Sequence, residues 1–104
     1  MEAGTHGEMC VVNDLDFLFT ALATIHTPEE LGRFLEDWLT PRELEDLTLR
    51  LDIARRLRAG QTYEIIQTDT GASSTTISRV RRCLVRGAGG YRLVFDRLPH
   101  STTP

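Results

Sequence analysis

The chain has 104 residues, 40% of them hydrophobic, which fits one globular domain of ordinary size. Its formal net charge of −3 conceals a gradient: residues 1–47 carry −9, residues 48–70 carry +1 and residues 71–104 carry +5. No apolar run could span a bilayer, the amino terminus lacks the order of a signal peptide, and Cys10 and Cys83 form no C-x-x-C pair. We therefore expect a cytoplasmic protein without membrane association, disulfide framework or metal site.

Two amphipathic helices are predicted in the acidic first half, after a flexible tail over 1–12. Asn13 can cap the first helix, which has an apolar face at Leu15, Leu18, Leu22 and Ile25. The order Thr27-Pro28-Glu29-Glu30 is typical of a capping box with proline at the first helical position. The predicted buried side of this second helix consists of Leu31, Phe34, Leu35 and Trp38.

The longest predicted helix starts in the same way at Thr40-Pro41 and runs to about Ala59, where Gly60 ends it. It carries two apolar stripes: Leu44, Leu47, Leu51 and Ala54 in one, and Leu49, Ile53 and Leu57 in the other. A surface helix of a monomer needs one apolar face, so two stripes predict a central position or a core shared between two chains. We expect its charged residues to form a solvated face: Glu45, Asp46, Asp52, Arg55 and Arg56.

A helix-turn-helix is predicted over 62–86. Thr62 can cap its first helix, whose buried side we assign to Ile65 and Ile66. Gly71 stands where the turn requires a positive φ, which glycine adopts without steric cost. Ser73 or Ser74 can cap the second helix, and its predicted inner residues are Ile77, Val80 and Leu84.

The second helix of this motif has a separate outer stripe at Thr75, Arg79, Arg82 and Arg86. A purely structural surface helix more often carries Glu, Lys and Ala than Ser and Thr, which are weaker helix formers. Hydroxyl residues and arginines can instead approach phosphates and base edges closely. The predicted contacts to double-stranded DNA are Ser74, Thr75, Thr76, Ser78, Arg79, Arg81, Arg82 and Arg86.

Two other functions are alternatives to DNA binding. The chain can be a helical protein-interaction module whose acidic first half binds a partner, with the arginine stripe as a solvated face. An enzyme is the weakest hypothesis, because no nucleophile–base set, phosphate-cradling loop or carboxylate pair is recognisable. The basic end of the chain coincides with the predicted outer stripe, which favours DNA binding.

After a break at Gly87-Ala88-Gly89-Gly90, a last short helix has apolar residues at Tyr91, Val94, Phe95 and Leu98. A second flexible tail is expected over 99–104. The predicted architecture is therefore all-α, with about six helices, no strands and one domain over 13–98.

Three stretches of the chain resemble the Trp repressor superfamily, above all its YerC/YecD-like branch. They are LTPRELEDLTLRLDIARRLRAG, TGASSTTISRVRRCL and GAGGYRLVFDRL. The resemblance implies an intertwined homodimer in which each subunit presents one helix-turn-helix to DNA. It also implies a sequence-specific transcriptional regulator, which we expect to be a repressor.

The resemblance further implies positions for an effector pocket. In the Trp repressor the corepressor indole lies between two arginines and close to a threonine, and the matching residues here are Arg50, Arg79 and Thr40. Val80 stands where that protein has glycine, the first helix of the motif is one residue shorter, and Gln67 replaces a small alanine. Plainer roles are a pair between Arg50 and Asp46 and a phosphate contact for Arg79. We favour these roles, so L-tryptophan is a disfavoured corepressor and no cofactor is expected.

Overall fold

The computed structural model describes residues 10–99, and this part of the chain contains six α-helices and no strand. The all-α prediction is confirmed. The helices are α1 Cys10–Ala23, α2 Pro28–Trp38, α3 Pro41–Arg58, α4 Tyr63–Thr70, α5 Ser74–Arg86 and α6 Gly90–Arg97. Helix α1 begins three residues before the predicted cap at Asn13, so residues 10–12 are helical. The remainder of the first predicted tail and residues 100–104 of the second lie outside the described residues.

The chain divides into two compact units, Met1–Thr40 and Pro41–Pro104, where the sequence predicted one domain over 13–98. In the first unit, Thr27 Oγ1 accepts a hydrogen bond from the backbone N–H of Glu30 at 3.1 Å. The Glu30 carboxylate accepts from the backbone N–H of His26 at 3.0 Å. The predicted capping box therefore forms, although its second donor precedes the cap residue by one position.

The apolar residues of the first unit are less buried than the sequence predicted. Phe34 and Leu35 are half-buried, whereas Leu31 and Trp38 are exposed. The rings of Phe34 and Trp38 stack with their centroids 4.9 Å apart. Two helices alone offer little surface against which a full apolar face can pack, so part of the predicted core remains open to solvent.

The second unit has a small buried core beneath the helix-turn-helix. The core consists of Ile53, Ala54, Ile66, Ala72, Ile77 and Val80, with Leu49, Leu57, Tyr63, Tyr91 and Phe95 packed around it. Helix α3 supplies its second predicted stripe to this core. Ala54 of the first stripe is also buried, but Leu44, Leu47 and Leu51 are 36–47% exposed. One of the two apolar faces of α3 is thus largely uncovered within the chain.

Helix α3 ends as the sequence predicted, and charged side chains near its carboxyl end form ion pairs with other helices. Gly60 adopts a φ of +91°, and the N–H of Gln61 donates to the carbonyl of Arg56 at 3.0 Å. Arg58 bonds Asp96 of α6 at 2.6 Å and lies 5.6 Å from the centroid of the Phe95 ring.

Among the helices of residues 10–99, none is long and apolar enough to cross a membrane.

The prediction of a solvated charged face on α3 was wrong for its last two turns. Asp52 accepts hydrogen bonds from both Arg55 and Arg56, and Arg56 also bonds Asp69 of α4 at 2.8 Å. Burial alone would raise the pKa of Asp52, but the bonds from the two arginines hold that pKa below its usual value. Hydrogen bonds to Asp52 and Asp69 raise the pKa of Arg56. Arg56 thus joins α3 to α4, whereas the bond between Arg55 and Asp52 stays within α3.

Candidate nucleic-acid interface

Helices α4 and α5 form the predicted helix-turn-helix. Thr62 Oγ1 accepts a hydrogen bond from the N–H of Ile65 at 3.2 Å and caps α4. Gly71 ends α4 with a φ of +77°, and its N–H donates to the carbonyl of Gln67 at 2.9 Å. Ser73, the first of the two serines considered, caps α5. The turn therefore has the geometry that the sequence predicted.

Thr70 fastens this turn, a role that the sequence analysis missed. Its Oγ1 donates to the carbonyl of Ile66 at 2.6 Å and accepts from the N–H of Ala72 at 3.1 Å. One hydroxyl thus joins the last turn of α4 to the residue that follows Gly71. A threonine directly before a turn glycine could have indicated this role, because its hydroxyl can form hydrogen bonds with nearby backbone groups.

The inner face of the motif is narrower than predicted. Ile66 and Ile77 are completely buried and Val80 is 3% exposed, but Ile65 is 47% exposed. Adjacent residues of a helix point about 100° apart, so Ile65 cannot share the inward direction of Ile66. Gln67 is exposed, and its larger side chain therefore does not separate the two helices.

Two shallow grooves run along the outer side of α5. One, of about 350 Å³, is lined by Ser74, Thr75, Ser78, Arg79 and Arg82. The other, of about 500 Å³, is lined by Tyr63, Ser78, Arg81, Arg82, Val85 and Arg86. Because the grooves share Ser78 and Arg82, we treat the residues of both as one reading surface. It brings together seven of the eight predicted DNA contacts.

The eighth predicted contact, Thr76, lines neither groove. Its Oγ1 accepts from the Ser73 hydroxyl at 3.1 Å, and its N–H donates to that hydroxyl at 3.2 Å. Tyr63 is a member of the reading surface that the sequence analysis missed, with its hydroxyl 3.5 Å from Ser78 Oγ. A tyrosine in the first turn of α4 was the available signal, because the start of that helix lies beside α5 in a helix-turn-helix.

The arginines of the reading surface keep their charge available. Within residues 10–99, no carboxylate pairs with Arg79, Arg81, Arg82 or Arg86. The sequence explains this, since Asp96 is the one acid in residues 71–104 and it is bonded to Arg58. The exposed side of α5 is therefore a surface of positive charge and hydroxyl groups.

The residues of the expected effector pocket are only partly brought together. Arg50 and Arg79 line one groove of about 700 Å³, which Val80 and Tyr91 also line. Thr40 is not among its lining residues. The isopropyl group of Val80 is packed into the core, at the position where a glycine would leave room beside Arg79.

The alternative ion pair between Arg50 and Asp46 does not form. Asp46 lies 4.0 Å from Arg42 instead, with both side chains well exposed. In the part of the chain that the structure describes, Arg50 has no carboxylate partner. Among the described residues, Arg50 and Arg79 are thus two arginines without an ion pair at one groove, which Asp46 also lines.

Comparison with known proteins gives consistent relatives across most of the chain. Residues 13–99 match the family model described as Trp repressor protein. The uncharacterized protein YerC of Bacillus subtilis (strain 168) is 44% identical over 90 residues, which cover 86% of both chains. A crystal structure from Staphylococcus aureus, provisionally named a Trp repressor, matches with a TM-score of 0.78 and 37% identity over 88% of this chain and 89% of that one.

A second solved structure agrees with the first. A TrpR-like protein from Eubacterium eligens ATCC 27750 is 40% identical and matches with a TM-score of 0.77, over 82% of this chain and 88% of that one. The matches extend through both halves of the sequence, and they include the helix-turn-helix described above. Members of this family are regulators that bind DNA rather than enzymes. The chain belongs to the Trp repressor family.

Proposed function

We propose that this protein is a sequence-specific, dimeric DNA-binding transcriptional regulator that acts as a repressor and reads the major groove with α5. The observation that carries the proposal is the reading surface, where four arginines lie beside three small hydroxyl residues. None of these arginines has a carboxylate partner within residues 10–99. A major groove about 12 Å wide admits such a helix. Family membership supports the same function.

The two ends of the reading surface have different tasks in this proposal. Ser74, Thr75 and Ser78 lie in the first turns of α5, the part of a recognition helix that approaches base edges. Arg81, Arg82 and Arg86 lie farther along and contact phosphates, which fixes the register on the duplex. The Tyr63 hydroxyl lies at the edge of the reading surface and donates a hydrogen bond to the phosphate backbone of the DNA.

A homodimer accounts for the uncovered apolar faces of the second unit. Leu44, Leu47 and Leu51 of α3 are exposed. Leu93 and Val94 of α6 and the following Leu98 are exposed as well. Removing apolar surface from water stabilises an assembly by about 25 cal/mol per Å². A two-fold axis also places two copies of α5 in successive major grooves, about 34 Å apart.

The oligomeric state can be measured directly. Sedimentation equilibrium at micromolar concentration should give twice the chain mass of 11.7 kDa. As a matched pair, Leu47→Glu lies on the uncovered stripe of α3 and should yield monomers, whereas Arg42→Glu, at an exposed position in the first turn, should not. A folded wild-type monomer at that concentration contradicts the dimer.

Operator binding in this proposal requires no effector. Arg79 lines both the reading surface and the groove that contains Arg50, so its guanidinium can contact DNA without a ligand to place it. Val80 reduces the room that an indole would need, and overpacking of this kind typically costs ~1–3 kcal/mol.

Selection of bound duplexes from a random pool, followed by titration at several salt concentrations, tests the function. A regulator enriches a two-fold symmetric motif and loses affinity steeply with salt, because bound arginines release counterions from phosphates. An unenriched pool and weak binding at all salt concentrations contradict the proposal. In that case the acidic amino-terminal unit becomes the candidate binding surface of a protein-interaction module.

A further inference from the structure

A hydrogen-bonded bridge connects α3 to the far end of α4, and Arg56 is its centre. Arg56 Nε donates to Asp52 Oδ2 at 3.0 Å within α3. Its Nη1 donates to Gln61 Oε1 at 3.1 Å in the connecting loop and to Asp69 Oδ2 at 2.8 Å in α4. The Arg56 side chain is only 21% exposed, so it is held against the fold rather than extended into water.

The bridge ends next to the turn that orients α5. Asp69 directly precedes Thr70, whose hydroxyl fastens the turn at Gly71 by bonds to Ile66 and Ala72. The contacts of Arg56 and those of Thr70 are therefore joined by one peptide bond, and together they reach from α3 to Ala72, the residue before the Ser73 cap. We propose that Arg56 is a positioning residue that sets the orientation of α5 on α3 and thereby the base specificity of DNA binding, an inference that rests on the proposed function.

Packing of the apolar core restrains this orientation less sharply than directional bonds do. Ile53, Ile66 and Ile77 attract one another through burial, which has no preferred direction. Hydrogen bonds depend steeply on angle, and the planar guanidinium presents its donors in a fixed fork. Arg56 therefore resists a rotation of α4 and α5 that the isoleucine contacts alone would tolerate.

Specific and non-specific DNA binding should respond differently to loss of this bridge. Non-specific binding follows the charge of the reading surface and tolerates a small change in helix orientation. Recognition of bases requires side chains to meet donors and acceptors at hydrogen-bond distance, so it does not tolerate such a change. The ratio of the two affinities is thus the quantity that Arg56 should control.

The neighbouring arginine provides a matched control. Arg55 also donates to Asp52, but this bond remains within α3. Arg56→Met and Arg55→Met each remove one positive charge, and both leave the same unbranched methionine side chain. Dissociation constants are measured for the selected operator and for an unrelated duplex of the same length, at one salt concentration.

The expected result is that Arg56→Met lowers the ratio of specific to non-specific affinity about tenfold, a coupling of ordinary size for residues in one network. Arg55→Met should change the ratio less than about twofold, since its bonds do not reach α4. Asp69→Asn, at a half-exposed carboxylate that is not needed for the core, should lower the ratio in the same direction. If Arg56→Met does not fold, the Asp69→Asn measurement decides.

A merely structural role is distinguished by the ratio itself. Partial unfolding removes active protein and raises both apparent dissociation constants by the same factor. The ratio of specific to non-specific affinity is then unchanged. An unchanged ratio in folded Arg56→Met, or in Asp69→Asn, overturns the inference while the proposed function stands. A wild-type protein that prefers no duplex overturns the proposed function as well.

Discussion

The arginines at the end of α3 and those along α5 have opposite surroundings. Arg55, Arg56 and Arg58 are bonded to carboxylates of α3, α4 and α6, whereas the four arginines of α5 have no such partner among residues 10–99. In the first group, Arg56 and Arg58 connect α3 to α4 and α6. The second group leaves positive charge for a ligand. The difference shows that the role of an arginine depends on whether an acid neutralises it, rather than on residue type or helical position alone.

The charge gradient of the sequence reflects this division. Residues 48–70 hold four arginines and three acids and sum to +1, and Asp52 and Asp69 are ion-paired with Arg55 and Arg56. Residues 71–104 hold six arginines and one acid and sum to +5. A net charge of −3 for the whole chain is therefore a poor guide to its partners. Local potential governs the approach of a phosphate backbone, since the Debye length is about 8 Å at physiological salt.

The largest expected effect comes from disrupting the turn between the two regions. Gly71→Val forces a β-branched residue to a φ of +77°, and such strain costs of order 1–3 kcal/mol. We expect a lower free energy of unfolding in urea and a loss of operator affinity. Gly71→Asn is the matched control, because asparagine tolerates this conformation better. Wild-type stability and affinity in the valine variant would show that Gly71 does not maintain the turn.

A second prediction removes one cation from the reading surface. Arg82→Ala should weaken binding to all duplexes and flatten the slope of log affinity against log salt by about 0.9, the value for one phosphate contact. Arg92→Ala, in α6 and outside both grooves, should leave the slope unchanged. An unchanged slope with altered base preference in Arg82→Ala would assign that arginine to base recognition.

A third prediction concerns how the stability of the fold depends on pH through Asp52 and its two arginine partners. The pKa of Asp52 is lowered in the folded protein, so its bonds to Arg55 and Arg56 stabilise the fold fully above the unfolded pKa of about 3.9. That contribution is lost as the pH falls through the lower folded pKa. Urea melts of wild type and Asp52→Asn should therefore differ near neutral pH and converge in strong acid. A constant difference down to about pH 2 would mean that ionised Asp52 adds no stability.

The smallest expected effect is that of tryptophan. Val80 occupies core space beside Arg79, so addition of L-tryptophan should change operator affinity less than about threefold. Calorimetric titration with and without duplex measures both quantities. One tight site per chain, together with a large gain in operator affinity, would show that Val80 is accommodated.

Periodicity and cap residues predicted most of the fold. Thr27, Thr62, Gly60 and Gly71 act locally, through their own hydroxyl or φ, and each has the predicted role. Ile65 was assigned to the wrong face because a pair of adjacent isoleucines does not reveal which one points inward. A single short helix has too few turns for periodicity to decide this.

The sequence predicted that arginines and hydroxyl residues share one side of α5, but it did not predict the contacts that support this helix. Hydroxyl residues and arginines on one stripe are visible in the sequence, since i and i+4 positions of a helix share a face. The bonds from Arg56 to Asp69 and from Arg58 to Asp96 join residues 13 and 38 positions apart. Pairing over such distances depends on the packing of α3 against α4 and α6, which local patterns do not encode.

Arginine side-chain ¹⁵N NMR during titration with the selected operator tests the division between the two regions most directly. All twelve basic residues of the chain are arginines, so each can report by its own Nε–H resonance. The resonances of Arg79, Arg81, Arg82 and Arg86 should shift on binding, while those of Arg55, Arg56 and Arg58 remain in place. Large shifts in the α3 group with unchanged α5 resonances would contradict the assignment of α5 as the DNA-reading helix.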